Sequence, residues 1–158
     1  MAPSDARIAS GAMDNTIKIW DVPLNSPIAS HGGHQGPVRA VELTNDGMWI
    51  ISGGSDKTVV VRAAADGKTA RKLEGHLSAV VGISARVDNI QVATATEAGV
   101  LRLFTLADGK PIGGPVVAHS GPITGLLFAR NSSFIVTSGL DGEIRKWPST
   151  LPATFAAA

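Results

Sequence analysis

Apolar residues recur along the chain in short, evenly spaced runs that have the length of β-strands. In each unit a first run is apolar at the fourth, seventh and ninth positions after a histidine, as in Val38, Val41 and Leu43 after His34. A second run, such as Trp49-Ile50-Ile51, is apolar at successive residues, which is typical of a strand covered on both faces. A third run alternates, as in Ile17-Lys18-Ile19. Helical periodicity is nearly absent, so the pattern predicts an all-β chain.

The whole pattern returns every 42 or 43 residues. Four series of residues keep this period in one register: the histidines, a set of small hydroxyl residues, a set of mostly aspartates, and a set of mostly tryptophans. Their members are His34, His76, His119; Ser10, Ser52, Thr94, Thr137; Asp14, Asp56, Ala98, Asp141; and Trp20, Arg62, Phe104, Trp147. Such a coincidence indicates an internal repeat. Four short antiparallel strands in about 42 residues is the size of one β-propeller blade.

Counting the units predicts four blades and fourteen strands. We expect an N-terminal tail at 1–6, blades at 7–30, 34–73, 76–117 and 119–147, and an irregular C-terminal tail at 148–158. The first blade begins at its second strand. The last blade carries Pro148 and Leu151-Pro152 where a c–d hairpin would need glycine or asparagine, so no regular fourth strand is predicted there. Blades one and four are therefore expected to lack one strand each.

Several motifs resemble WD40 repeats, and the resemblance covers about residues 7–147. They are Gly33-His34, Gly75-His76, Ile17-Lys18-Ile19-Trp20-Asp21 and Ser52-Gly53-Gly54-Ser55-Asp56. The stretches Gly109–Pro115 and His119–Ile123 are also similar to the long WD40 arrays of fungal proteins. The resemblance implies a WD40-type β-propeller, here an incomplete one of about four blades.

The resemblance further implies a structural tetrad in each blade: a histidine before the first strand, a hydroxyl on the second, an aspartate in the following turn and a tryptophan on the third strand. Buried imidazole and indole N–H groups need acceptors, which the other two residues supply. His119, Thr137, Asp141 and Trp147 match all four positions. The other blades match in part, through His34, Ser52, Asp56; His76, Thr94; and Ser10, Asp14, Trp20. In blade three Phe104 stands at the tryptophan position.

Two departures from the tetrad carry expectations of their own. Ala98 removes the acceptor for His76, so blade three should be weakened locally and Ala98→Asp should raise the melting temperature. Arg62 replaces a tryptophan, and we expect its long side chain to reach the blade edge. The alternative is that Arg62 faces a partner or pairs with a carboxylate of a neighbouring blade.

A histidine, a hydroxyl and an aspartate also make up a hydrolase triad. A triad occurs once in an active site, whereas this set recurs with the blade period, so we interpret it as architecture and predict no catalytic residues. The periodic histidines belong to different blades and His31 is expected to lie in a loop, so no metal site is predicted. No cofactor is expected either.

The charge balance disfavours several partners. With 14 basic and 13 acidic residues the net charge is +1, so neither nucleic acid nor a membrane is the expected partner. Lys68, Arg71 and Lys72 form a small basic cluster, but Asp66 and Glu74 flank it and a solvated edge strand is the simpler interpretation. No signal pattern, long apolar run or cysteine is present, which favours the cytoplasm, with the nucleus as the alternative.

The resemblance implies a non-enzymatic scaffold that binds proteins or peptides. Its binding loops would lie beside the tetrad histidines and aspartates, at Met13, Gln35, Ser55, Leu77, Glu97, Ser120 and Leu140. The alternatives are a propeller enzyme and an RNA-contacting module. Because four blades leave two uncovered flanks, three states remain open: a fragment of a longer array, two copies paired into an eight-bladed ring by self-association, or an open array capped by another protein.

Overall fold

Fourteen β-strands form the regular structure of residues 7–21 and 26–149, the part of the chain that the computed structural model describes. Blade one contains β1 (Arg7–Gly11), β2 (Ile17–Asp21) and β3 (Ser26–His31). Blade two contains β4 (Val38–Leu43), β5 (Trp49–Gly54), β6 (Val59–Ala63) and β7 (Thr69–Leu73). Blade three contains β8 (Val80–Ala85), β9 (Gln91–Thr96), β10 (Val100–Thr105) and β11 (Val116–Val117). Blade four contains β12 (Ile123–Phe128), β13 (Phe134–Gly139) and β14 (Ile144–Pro148).

Every blade is an antiparallel sheet whose strands pair in chain order, with three, four, four and three strands. For the described residues this confirms the predicted all-β class and a partial propeller of four blades. β14 runs through Pro148, which pairs with Phe134, one residue beyond the predicted end of blade four. The predicted tail at 1–6 and residues 150–158 of the predicted tail at 148–158 lie outside the described residues, as does the prediction that no regular fourth strand follows β14. His31 was expected in a loop, which is wrong, since it ends β3 and pairs with Ile17.

The blades pack face to face, and the second strand of each inner blade lies between two apolar layers. In β5, Ile50 packs against Ile17 and Ile19 of blade one, whereas Ile51 packs with Val80 and neighbouring residues of blade three. Consecutive side chains of a strand point to opposite faces, which is why an uninterrupted apolar run fits here. Each buried isoleucine contributes about 1.5–3 kcal/mol to stability.

β13 has a cover on one face only. Ile135 and Thr137 are fully buried, whereas Phe134 and Val136 are partly exposed. The strand had been expected to be buried on both faces, but among the described residues no further sheet packs on its outer side. In β9 of blade three, by contrast, every residue is buried.

Small residues set the distance between neighbouring blades. A Cβ atom added to Gly11 would lie 2.5 Å from Cγ1 of Val38, and one added to Gly53 would lie 2.6 Å from Cγ1 of Val80. Both pairs occupy the same position of the repeat, 42 residues apart. In the next unit this position is Ala95, which packs in one core with Ile123. The first two interfaces therefore have room only for glycine, and the third accommodates a methyl group.

Candidate functional site

The tetrad of blade four is complete. His119 is 1% exposed; its Nδ1 lies 2.9 Å from Oδ1 of Asp141 and its Nε2 lies 2.7 Å from Oγ1 of Thr137. Trp147 donates its indole N–H to the same Thr137 oxygen at 2.8 Å. The Asp141 carboxylate also accepts from the N–H groups of Ser120 and Glu143, both at 3.2 Å. The network ties the loop before β12 to the turn between β13 and β14.

Blade two has three of the four residues in the same arrangement. His34 is buried; its Nδ1 lies 2.9 Å from Oδ2 of Asp56 and its Nε2 lies 2.9 Å from Oγ of Ser52. Burial alone would raise the pKa of Asp56, but hydrogen bonds from the Gln35 and Thr58 N–H groups, the Thr58 hydroxyl and His34 hold it below its usual value. The aspartate therefore stays ionised at neutral pH.

Arg62 lies inside blade two and not at its edge. It is only 5% exposed, and its guanidinium donates to Oγ1 of Thr69 at 2.9 Å. Its Nε has no hydrogen-bond partner, and burial lowers its pKa. No carboxylate among the described residues pairs with it, so the expectations of a side chain that reaches the solvent and of an ion pair with a neighbouring blade were wrong. A contact between Arg62 and a partner stays a prediction. In blade two the aliphatic stem of Arg62 lies at the position that a tryptophan ring holds in blade four, and Gly33 lies beside the guanidinium.

Blade one shows half of the network. Trp20 donates to Oγ of Ser10 at 2.8 Å. Asp14 is exposed and accepts from the N–H and hydroxyl of Thr16, at 3.0 and 2.6 Å, within its own turn. No histidine among the described residues reaches Asp14.

In blade three the histidine keeps one partner and lacks the other. Nε2 of His76 lies 2.8 Å from Oγ1 of Thr94, whereas its Nδ1 is buried with no hydrogen-bond partner. The ring of Phe104, which replaces tryptophan, lies 5.5 Å from the imidazole. Burial, reinforced by the positive charge of Arg102 and only partly opposed by the nearby Leu73 backbone, lowers the pKa of His76 to about 4, so its ring is neutral at physiological pH. The expectation that Ala98 leaves His76 without its acceptor agrees with this geometry.

Thr96 replaces the missing aspartate as the acceptor of one N–H group in the turn, which the sequence did not lead us to expect. In blades two and four the aspartate accepts the N–H of the residue two positions later, Thr58 or Glu143. In blade three the equivalent N–H, on Val100, donates to Oγ1 of Thr96 at 3.1 Å. The repeat places glycine at that position in blades two and four, Gly54 and Gly139. Thr96 thus satisfies the turn amide and leaves the histidine unpaired.

The glycine of this position lies against the histidine and the aspartate in blade four. A Cβ added to Gly139 would lie 2.4 Å from Nδ1 of His119 and 2.7 Å from Oδ1 of Asp141, closer than a van der Waals contact permits. Blade three replaces both repeat residues, with Thr96 for the glycine and Ala98 for the aspartate.

Arg102 and Arg145 hold equivalent positions on the third strands of blades three and four. Each donates from a terminal nitrogen to the carbonyl that precedes the histidine, Arg102 to Gly75 at 2.7 Å and Arg145 to Ala118. Arg145 also lies 3.9 Å from the Asp141 carboxylate and 2.7 Å from Glu143. Arg102 pairs with no carboxylate in the described ranges.

Backbone hydrogen bonds place the tetrad loops of successive blades at one end of the sheets. The N–H groups of Ser55, Glu97 and Leu140 donate, each at 2.9 Å, to the carbonyls that lie three residues after the tetrad histidines, on Pro37, Ala79 and Pro122. The carbonyl of Gly99 in blade three accepts from Ala118 and His119 of blade four. We call the surface formed by these loops and turns the upper face.

All seven predicted binding positions lie on the upper face and are exposed: Met13, Gln35, Ser55, Leu77, Glu97, Ser120 and Leu140. Three of them are large apolar side chains, with Leu77 89%, Met13 82% and Leu140 71% exposed. Arg39 and Glu97 form an ion pair of 3.2 Å that links blades two and three. The loops and turns that the tetrads hold in place thus present an exposed, partly apolar surface.

A cavity of about 500 Å³ opens between the first strands of blades two, three and four. Residues of β4, β8 and β12 line it, among them Arg39, Gly82 and Thr124, together with Gly11 from blade one. This is the place of the axial channel in a propeller.

The described ranges, 7–21 and 26–149, contain no group of three or more His, Asp or Glu residues that could hold a metal ion. No helix in these ranges has the length and apolar character that crossing a membrane requires.

Four antiparallel blades tied by recurring imidazole, hydroxyl and carboxylate groups define a β-propeller repeat protein. Residues 1–21, 25–61 and 111–148 match the family model of the WD domain, G-beta repeat. The chain belongs to the WD40 repeat family. The resemblance stated from the sequence is confirmed.

Similar proteins come from animals and fungi. The chain is 26% identical to rat apoptotic protease-activating factor 1 over 90% of its length, but it spans only 12% of that protein. It is 26% identical to human angio-associated migratory cell protein and 25% identical to nuclear distribution protein nudF of Aspergillus niger, covering 37% of each. The family model leaves residues 62–110 unmatched, and this stretch contains Arg62, Thr96, Ala98 and Phe104.

Proposed function

We propose that this chain is a non-enzymatic interaction module that binds a protein or peptide partner through its upper face. WD40 repeats are typically protein-interaction scaffolds, and this general role is what family membership supplies. The observation that supports the upper face in particular is the exposure of Leu77, Met13 and Leu140, each more than 70% exposed on a turn or loop that hydrogen bonds hold in place. Exposed apolar side chains on rigid turns bind with a small loss of conformational entropy.

The chemistry of the tetrads supports a structural role over a catalytic one. The histidines of blades two and four are buried beneath the loops, with both ring nitrogens engaged by residues of their own blade. A catalytic base must reach a substrate proton. The same arrangement in two blades serves the architecture of each.

The proposed partner is a protein, since nothing in the basic cluster favours RNA. Lys68 pairs with Asp66 at 3.1 Å, and Arg71 lies over the ring of Trp49 at 4.7 Å while donating to the carbonyl of Leu106 in blade three. Two of the three cations in the cluster are therefore engaged within the chain.

We also propose a cytoplasmic location, which a fluorescent fusion of the protein would test.

Site-specific photocrosslinking tests the upper face. A benzoylphenylalanine residue would replace Leu77 or Leu140, and the crosslinked proteins would be identified by mass spectrometry after irradiation in cell extract. We expect both positions to capture the same partner.

Met48 and Ile90 provide matched controls. They are exposed apolar residues, 60% and 54%, that follow the turns between first and second strands, at the opposite end of blades two and three. Capture at these two positions with the yield seen at Leu77 and Leu140 would contradict binding by the upper face.

A further inference from the structure

We propose that blade three carries a receptor for a single carboxylate, at the place that Ala98 leaves open, and that an Asp or Glu side chain of the protein partner occupies it. This inference rests on the proposed role as an interaction module. It adds the chemistry of the group that is bound and the residues that bind it.

A pocket of about 180 Å³ opens on the upper face at this position. Gly75, His76, Leu77, Ser78, Thr96, Ala98, Val100 and Arg102 line it. Ligand pockets for small molecules span roughly 300–1,000 Å³, so this one has the size for one side chain rather than for a cofactor. Ala98 lies exposed at its mouth.

The groups around the pocket are those of a carboxylate site without the carboxylate. His76 is 8% exposed and its Nδ1 has no hydrogen-bond partner. The guanidinium of Arg102 donates one hydrogen bond to Gly75 and pairs with no acidic residue of the described chain. A buried polar atom without a partner is costly, and an arginine next to it favours a negatively charged ligand over a neutral one.

Blade four shows how the same position looks when it is filled. There the Asp141 carboxylate lies 2.9 Å from His119 Nδ1, 3.2 Å from the Ser120 N–H and 3.9 Å from Arg145. The repeat assigns His76, Leu77 and Arg102 to these three places in blade three. Three of the groups that hold Asp141 are retained, and the carboxylate itself is missing.

The occupant is expected to come from the partner's surface. Leu77, at the rim, is 89% exposed, so a peptide that inserts a carboxylate would also cover this leucine. The Val100 N–H is taken by Thr96, which leaves the imidazole, the Leu77 N–H and the guanidinium for the ligand.

The test uses the full 158-residue chain and three N-acetylated peptides, whose binding is followed by NMR. The probes are acetyl-Gly-Asp-Gly-amide, its Asn counterpart, and acetyl-Gly-Gly-Gly with a free C-terminus. The chain has four histidines, so the His76 ring signal can be assigned with a His76→Gln variant. We expect the Asp peptide to shift the His76 signal, with at least tenfold weaker binding for the Asn peptide.

Two variants make the result specific. Arg102→Gln should weaken binding of the Asp peptide at least tenfold. Thr96→Gly/Ala98→Asp fills the site with the chain's own carboxylate, restores the repeat residues and should abolish binding while the fold is kept. Equal binding of the Asp and Asn peptides, no shift at millimolar peptide, or undiminished binding to the double variant would overturn the proposal. Binding of the free C-terminus alone would overturn the assignment to a side chain.

The outcome is separable from that of the proposed function. If Leu77 and Leu140 crosslink a partner while the Asp peptide does not bind, the upper face is an interaction surface and only the carboxylate receptor is refuted. If the peptide binds while neither position crosslinks, the receptor stands and the wider surface is refuted.

Discussion

The N–H of Val100 donates to Oγ1 of Thr96 at 3.1 Å, and this one bond shows how blade three tolerates the loss of its aspartate. In blade two the equivalent amide, on Thr58, donates to Asp56 at the same distance. The threonine hydroxyl has replaced the carboxylate as acceptor for the turn. The hydroxyl has not replaced the carboxylate as a partner of the histidine, whose Nδ1 has no hydrogen-bond partner.

Ala98→Asp should raise the free energy of unfolding by about 1–3 kcal/mol, and the melting temperature with it, because the new carboxylate can accept from the buried imidazole of His76. Thr96→Gly/Ala98→Asp also restores the second repeat residue, so the Val100 N–H would then donate to the carboxylate, as the Thr58 N–H does to Asp56. Chemical denaturation of both single variants and the double variant measures the two contributions. No stabilisation by Ala98→Asp in either background would contradict the tetrad assignment in blade three.

Acid should destabilise the chain through His76. Its folded pKa is about 4 and its ordinary value 6.5, so between these pH values the unfolded chain binds a proton that the folded chain does not. Stability therefore falls as pH falls, by about 2 kcal/mol between pH 6.5 and 5 at 1.36 kcal/mol per pKa unit. The measurement is urea denaturation across this range. His76→Gln is the control, because without the imidazole the fall in unfolding free energy over this pH range should be smaller by about 2 kcal/mol. If the unfolding free energies of the two proteins fall equally with pH, the assignment to His76 is refuted.

The two aspartates at the ends of the array should differ in importance. Asp141→Ala removes the acceptor from buried His119 and should cost about 1–3 kcal/mol. Asp14→Ala removes only turn hydrogen bonds to Thr16 and should cost less than about 1 kcal/mol. Thermal and chemical denaturation compare the two, and a larger loss for Asp14→Ala would contradict the tetrad as the stabilising unit.

Gly53→Ala should destabilise the interface between blades two and three by about 1–3 kcal/mol, since the added methyl would overlap Val80. Gly53→Ala/Val80→Ala makes room for the methyl group and should recover part of the loss relative to Val80→Ala alone. A Gly53→Ala protein as stable as the parent would show that the interface adapts freely.

Arg62→Trp should stabilise blade two by about 1–2 kcal/mol. It removes a buried guanidinium whose Nε has no partner and offers an indole N–H to Ser52, as Trp20 does to Ser10 at 2.8 Å. Denaturation measures the gain, and Arg62→Phe, which cannot donate, should gain less.

The period of the sequence was sufficient to predict the blades, because strand length, two-sided burial and turn position are local properties that repeat. The tetrad positions kept the same register, and their hydrogen bonding was implied by the resemblance to WD40 repeats. The hydrogen bond from the Val100 N–H to Thr96 was not, since it depends on the position of a hydroxyl that only coordinates define. The burial of Arg62 was missed for a related reason: the sequence shows an arginine in a tryptophan's position but not that Gly33 and Thr69 enclose it.

Ile50 and Ile51 belong to different cores although they are neighbours in the chain. Deleting a single residue from β5 would turn every later side chain of that strand to the opposite face of the sheet, where it packs against the wrong neighbouring blade. A departure at one position of the repeat, such as Ala98, alters one blade and leaves the others in register. Length variation in this array is therefore expected at the turns or in whole units of about 42 residues.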